Sequence, residues 1–219
     1  MKKILGLMIV FTISLFGLEL KDFVNTTKCD QIIDKNLFSV CYSYKHKGAL
    51  SGWTKINGKL AAKDGIKERP KFYEEESIPN RYRTKYSDYT GYGKDWNRGH
   101  IIVSDAEADY DYNELIKTYS MANIVPMGAT LNQKTWTKAE RYGRMVALKL
   151  GELDSITIID YTNSDSSFNG ITIPSDFYRI YYNNEHNFQK CFHYKNTLDI
   201  DVANDDLRDH EIDCNSIKI

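Results

Sequence analysis

Proline is scarce in this chain, with four among 219 residues, and tracts dominated by one or two residue types are absent. No long Gly/Ser, Gln/Asn or proline-rich segment divides the sequence, and no internal repeat is present. These absences exclude collagen-like, solenoid and largely disordered proteins. The length and a hydrophobic content of 42% instead predict one domain with an ample core.

Long apolar runs are missing beyond the first 17 residues. A basic start, Met1-Lys2-Lys3, precedes an uncharged apolar run from Ile4 to Gly17. This pattern is typical of a secretory signal peptide, so residues 1–17 are interpreted as the signal and 18–219 as a single domain. The run is short for a membrane span, although an uncleaved anchor is the alternative. We therefore expect a periplasmic or secreted protein that leaves the membrane after cleavage.

Cysteine occurs four times, without the Cys-x-x-Cys spacing that favours a zinc cluster. Cys29, Cys41, Cys191 and Cys214 all lie beyond the predicted signal, and export would place them where disulfides persist. Three pairings are possible. We favour Cys29–Cys41 and Cys191–Cys214, because each pair joins neighbours in the sequence.

An excess of positive charge is also absent, since the formal net charge is -1. Bases are nevertheless concentrated in residues 81–100 and 133–149, whereas the tail from Lys195 onward is acidic. Two basic segments on an acidic protein indicate one basic face, suited to a polyanion. A solvated helix face without a partner explains the same charges equally well.

Strand-like segments cluster early and late, and helical patterns lie between them. The strand-like segments are residues 38–44, 50–56, 155–161, 177–182 and 191–194. Apolar spacing predicts a helix over residues 136–149 that ends at Gly151, and a looser helical pattern covers 105–119. The order favours an α+β fold with a mainly antiparallel central sheet flanked by helices over a doubly wound parallel sheet.

Three local groups contain side chains suited to catalysis. They are Arg98-Gly99-His100, then Asn123-Ile124-Val125-Pro126, then Asn132 with Trp136, Glu140 and Arg144. Glu140 and Arg144 share a helix face because they are four residues apart. A purely structural interpretation of the third group is open: Asn132 caps the helix, Trp136 packs, and Glu140–Arg144 is a surface pair.

The three groups together resemble the DNA/RNA non-specific endonuclease family, whose members are ββα-metal nucleases. The family signature is Asp-Arg-Gly-His, then Asn-Ile-x-Pro, then Asn-x-x-x-Trp-x-x-x-Glu-x-x-x-Arg. This sequence matches it in order and spacing, except that Asn97 replaces the aspartate. Residues 69–72 and 170–182 resemble flanking family segments, so the resemblance extends over about residues 40–195. It implies the ββα-metal nuclease fold.

The resemblance also implies roles for the matching residues. His100 suits a general base, because neutral imidazole accepts a proton near neutral pH. Asn132 is the candidate metal ligand, and one amide oxygen suits hydrated Mg²⁺, with Mn²⁺ as a possible substitute. Glu140 would hold metal-bound waters. Arg98 and Arg144 would bind the phosphate, since arginine offers a planar fork of donors.

Two further residues have weaker assignments by the same resemblance. Asn123 would bind or orient groups near the site, and Arg69 is a candidate phosphate-binding residue. The implied activity is Mg²⁺-dependent, sequence-independent cleavage of DNA, and possibly RNA, to 5′-phosphate products, by a monomer or homodimer. The alternatives are a non-catalytic nucleic-acid-binding protein on the same scaffold and a disulfide-stapled surface protein.

Overall fold

The computed structural model describes residues 18–63, 65–91, 94–164 and 166–217. The predicted signal peptide, residues 1–17, lies outside the described residues. Within those ranges, no helix combines the length and the apolar character that crossing a bilayer requires.

A seven-stranded sheet forms the centre of the molecule, in the order β1-β2-β3-β6-β9-β10-β11. Every neighbouring pair in this sheet is antiparallel, which confirms the predicted fold class. The strands are β1 (Gln31–Asp34), β2 (Phe38–Ser43), β3 (Gly48–Asn57), β6 (Glu152–Asp160), β9 (Asp176–Asn183), β10 (Phe188–Lys195) and β11 (Glu211–Ile212).

Two smaller antiparallel pairs lie outside the central sheet. β4 (Trp96–His100) pairs with β5 (Ile124–Gly128), and β7 (Ser167–Phe168) pairs with β8 (Ile171–Thr172). The β4–β5 register sets His100 opposite Ile124 and Arg98 opposite Pro126. The two signature segments therefore lie side by side, although 23 residues lie between His100 and Ile124 in the chain.

The α-helices are α1 (Gly58–Ala61), α2 (Asp105–Ala108), α3 (Tyr112–Thr118) and α4 (Trp136–Leu150). α4 confirms the predicted helix, and the chain leaves it at Gly151 with φ 96°, a conformation that glycine favours. The looser pattern over 105–119 forms two short helices instead of one, because Asp111 accepts hydrogen bonds from the backbone N–H groups of Asn113 and Glu114 and starts α3.

α4 packs on one face of the central sheet, where Gly143 allows a close approach. A Cβ added to Gly143 would lie 2.6 Å from the ring of Tyr181 in β9. The Tyr181 hydroxyl donates to the carbonyl of Ala139, 2.9 Å away, and so fixes the helix on the sheet. This contact fixes the distance between α4 and the sheet at β9.

The opposite face of the sheet carries a second apolar cluster and both disulfides. Ile156, Ile180 and Tyr182 of β6 and β9 pack there with Phe23 and Val24, because side chains alternate between the faces of a strand. Disulfides join Cys29 to Cys41 and Cys191 to Cys214, which confirms the favoured pairing.

Candidate active site

The second and third signature segments meet the first at Gly99. A Cβ added to Gly99 would lie 3.2 Å from Oδ1 of Asn132 and 2.8 Å from Cβ of Met127. Asn132 belongs to a π-helical turn, Leu131–Thr135, that continues directly into α4. Thr130 and Asn132 are thus inside continuous helical structure, and Asn132 does not cap α4. Only glycine at position 99 leaves room for the Asn132 amide beside the strand that carries His100.

The His100 ring is packed in an aromatic environment at the end of β4. Its centre lies 4.9 Å from that of Tyr119, edge to face, and 5.6 Å from that of Phe72. The residue is partly exposed, yet Nε2 is buried and has no hydrogen-bond partner among the described residues. Burial lowers the pKa of His100 to about 4; the carboxylate of Asp105 opposes this shift, and Arg69 adds to it. The imidazole is therefore neutral near pH 7, with one nitrogen available.

Asn123 fixes the backbone that follows His100. Its Oδ1 accepts from the N–H groups of Ile102, at 2.9 Å, and Val103, at 3.3 Å. Its Nδ2 donates to the carbonyls of Val103 and Thr118, each at 2.9 Å. The amide of this fully buried residue is thus bonded to backbone, a geometry that orients the segment after His100.

Glu140 is buried on the inner side of α4. Burial, reinforced by the charge of Glu107, raises the pKa of Glu140 to about 8, while Arg179 and Arg144 oppose the shift. Because Glu140 is only 8% exposed, the interpretation of Glu140–Arg144 as a surface pair is wrong. Nη1 of Arg144 is also buried and has no hydrogen-bond partner within the described chain.

Two other arginines predicted for the site, Arg98 and Arg69, contact aromatic and acidic side chains respectively. The Arg98 guanidinium lies 4.1 Å from the ring centre of Tyr86, and its Nη2 donates to the Tyr86 hydroxyl at 3.1 Å. Arg69 Nη1 lies 3.5 Å from Asp105 Oδ2 and 3.9 Å from Asp109 Oδ2. The Arg98 guanidinium is therefore held in one position by Tyr86. The Arg69 guanidinium instead forms ion pairs with two carboxylates.

Sequence reasoning assigned Glu140 to the site but missed Glu107. Glu107 is buried, and its Oε2 accepts from the backbone N–H of Ser104, as in a capping box. The Ser-x-x-Glu spacing could have indicated that cap. No local pattern could have shown that Glu107 approaches Glu140, because 33 residues separate them.

The side chains around Asn132 fit a hydrated divalent cation. Oδ1 of Asn132 faces Gly99, and its amide has no hydrogen-bond partner in the part of the chain that the structure describes. Over the same residues, no group of three or more His, Cys, Asp or Glu is placed to hold a metal. A single neutral amide oxygen suits a cation such as Mg²⁺, which keeps several of its waters.

Comparisons with known proteins show which family this chain resembles. The family model described as DNA/RNA non-specific endonuclease matches residues 19–217. Mitochondrial endonuclease G of Homo sapiens is 23% identical over 164 residues, which are 68% of this chain and 54% of that protein. Nuclease C1 of Cunninghamella echinulata var. echinulata is 24% identical over 159 residues, 65% of this chain and 62% of that protein. The chain thus spans between half and two thirds of these relatives.

A solved structure shares the fold. The crystal structure of the EndoG/EndoGI complex matches with a TM-score of 0.74 and 15% identity, over 85% of this chain and 81% of that chain. At this identity the likeness shows the fold alone. The strands β4 and β5 followed by α4 correspond to the predicted ββα unit.

Proposed function

The chain belongs to the DNA/RNA non-specific endonuclease family, which is metal-dependent, and on this premise we propose that it hydrolyses phosphodiester bonds of DNA, and possibly RNA, with little sequence preference. One observation carries the proposal: His100, whose Nε2 is buried and unpartnered within the described residues, directly follows Gly99, and Gly99 faces the Asn132 amide. A site that recognises backbone phosphate accepts many sequences.

His100 acts as the general base. Its pKa of about 4 keeps the imidazole neutral at pH 7, so Nε2 can accept the proton of a water that attacks phosphorus. Tyr119 and Phe72 restrict the ring, and Asn123 fixes the backbone after it. These contacts reduce the freedom that His100 must lose before proton transfer.

Asn132 would hold the metal through its amide oxygen, and Glu140 would orient waters of the metal's hydration shell. When bound, Mg²⁺, or Mn²⁺ in its place, neutralises charge on the phosphate and on the leaving oxygen. Arg98 and Arg144 bind the non-bridging phosphate oxygens, as the family resemblance implies, because a guanidinium offers a planar fork of donors. Arg69 assists once the phosphate competes with Asp105 and Asp109. The products carry 5′-phosphates, as the family resemblance implies.

The two disulfides support export to the periplasm or the medium, where such bonds persist. Glutathione and thioredoxin keep most cytosolic thiols reduced. This location is consistent with the predicted signal peptide.

Degradation of plasmid DNA tests the function directly. The purified mature protein should cut plasmid DNA with Mg²⁺, and a chelator should stop the cutting. His100→Ala should lower the rate by about 100-fold or more, since general bases contribute about 10²–10⁴-fold, and should leave the circular dichroism spectrum unchanged. Full activity of His100→Ala would disprove the base assignment. Salt-sensitive DNA binding without hydrolysis under any divalent ion would support a non-catalytic binding protein.

A further inference from the structure

Arg179 is fully buried at the centre of the sheet, in β9. Burying a guanidinium is costly unless it is paired and hydrogen-bonded. Its Nη1 donates to the carbonyl of Ile102 and to Oγ of Ser155, each at 3.0 Å, and Nη2 donates to the carbonyl of Ile101 at 3.2 Å. Two of these three acceptors are the backbone carbonyls just beyond His100.

The segment after His100 is held from two sides. Asn123 binds the N–H groups of Ile102 and Val103 from the β5 side. From the sheet side, Arg179 is joined by Thr157 of β6, whose hydroxyl donates to the Ile101 carbonyl at 3.0 Å. The position of the His100 ring therefore depends on side chains of the central sheet as well as on β5.

The same guanidinium reaches the helix that carries the rest of the site. Its carbon lies 4.7 Å from the ring centre of Trp136, at the start of α4. Its charge also acts on Glu140, one turn further along, where it opposes the effect of burial on the carboxyl pKa. One side chain thus contacts both the His100 segment and α4.

We propose that Arg179 is a positioning residue of the nuclease site, which fixes the backbone carrying His100 against α4 and β6. The inference rests on the proposed function. Arg179 differs from Arg98 and Arg144 because it is fully buried and bonded to backbone, so it does not bind the substrate. Its loss should lower kcat and leave KM for DNA nearly unchanged.

The test compares variants of the full mature chain, with rates normalised to the folded fraction measured by circular dichroism. Arg179→Met removes all three hydrogen bonds of the guanidinium. Arg179→Lys retains the positive charge and can restore one of these bonds. Thr157→Val removes the separate hydrogen bond from the Thr157 hydroxyl to the Ile101 carbonyl. Ser155→Ala is the matched control, because it removes a partner of Arg179 that does not belong to the His100 segment. We expect kcat to fall by about 100-fold for Arg179→Met and about tenfold for Arg179→Lys, with KM within about twofold.

Three results would overturn the inference. The first is an unchanged kcat in folded Arg179→Lys and Thr157→Val, and these milder variants provide the test if Arg179→Met does not fold. The second is a raised KM at constant kcat, which would make Arg179 a substrate-binding residue. The third is an equal loss of kcat in Ser155→Ala, which would contradict a role through Ile101 and Ile102. A wild-type chain that cuts no nucleic acid would refute the proposed function itself, a distinct outcome.

Discussion

At the scale of single residues, burial moves the pKa values of His100 and Glu140 in opposite directions. His100 falls to about 4, so between this value and its unfolded value near 6.5 the unfolded chain binds more protons, and stability rises with pH. Glu140 rises to about 8, so between about 4.5 and 8 the folded chain binds more protons, and stability falls with pH. In the metal-free protein, His100 therefore lowers the stability of the fold toward acidic pH, because its buried ring resists protonation. Glu140 lowers it toward alkaline pH, because its buried carboxyl resists ionisation.

Glu140→Gln should stabilise the metal-free protein at alkaline pH while it abolishes activity. The neutral amide avoids the cost of a buried carboxylate, so the variant's advantage in unfolding free energy should grow from pH 5 to pH 8.5. We expect at least about 1 kcal/mol at pH 8.5, or about 2–4 °C in Tm. Thermal denaturation in chelator, at several pH values, measures this difference. Parallel Tm profiles for the two proteins would contradict the buried-carboxylate explanation.

The sequence predicted the residue types of the site better than their surroundings. His100, Asn132 and Glu140 could be selected because the family motif fixes their order and spacing. The approach of Glu107 to Glu140, and of Asp105 to Arg69, depends on how α2 is placed against α4 and against the loop residues around Arg69. Such contacts join residues far apart in the chain, and no local pattern contains them.

At the scale of elements, α4 illustrates what periodicity does and does not determine. Apolar spacing predicted its extent, because one face must be buried. The spacing did not predict the π-helical turn, Leu131–Thr135, that precedes it and places Asn132 beside Gly99. Nor did it predict that Gly143 would be the point of closest approach to Tyr181, since this depends on the sheet beneath.

Gly143→Ala separates helix propensity from packing. In an isolated helix, alanine is more favourable than glycine by about 1 kcal/mol. Here the added Cβ would lie 2.6 Å from the Tyr181 ring, so α4 must shift, and overpacking costs about 1–3 kcal/mol. We expect a lower Tm and a reduced kcat, because α4 carries Glu140 and directly continues the π-helical turn that contains Asn132.

Met145→Ala is the control for this substitution, since Met145 is exposed on the same helix. Thermal denaturation and the plasmid assay should show little change for this variant. A higher Tm for Gly143→Ala would mean that propensity outweighs the contact with Tyr181, and that the glycine does not set the distance between helix and sheet.

At the scale of the whole molecule, the proposed active site and the disulfides lie on opposite faces of the central sheet. α4, Trp136 and the segment after His100 belong to the core on one face. Cys191 and Cys214 belong to the cluster on the other, and Cys41 points to that face because its neighbours Val40 and Tyr42 lie in the first core. Stability and activity should therefore respond differently to loss of the disulfides.

Replacing Cys191 and Cys214 together with alanine should lower stability without impairing the folded enzyme. The disulfide spans 23 residues, and loops of about this length contribute about 3 kcal/mol through the unfolded chain. The Cys29–Cys41 bond spans 12 residues, so its removal should cost slightly less. Tm should fall by about 6–12 °C for either pair, while kcat per folded molecule stays within about twofold of wild type. A large loss of kcat in a folded variant would show that the sheet transmits strain from the cross-linked face to His100.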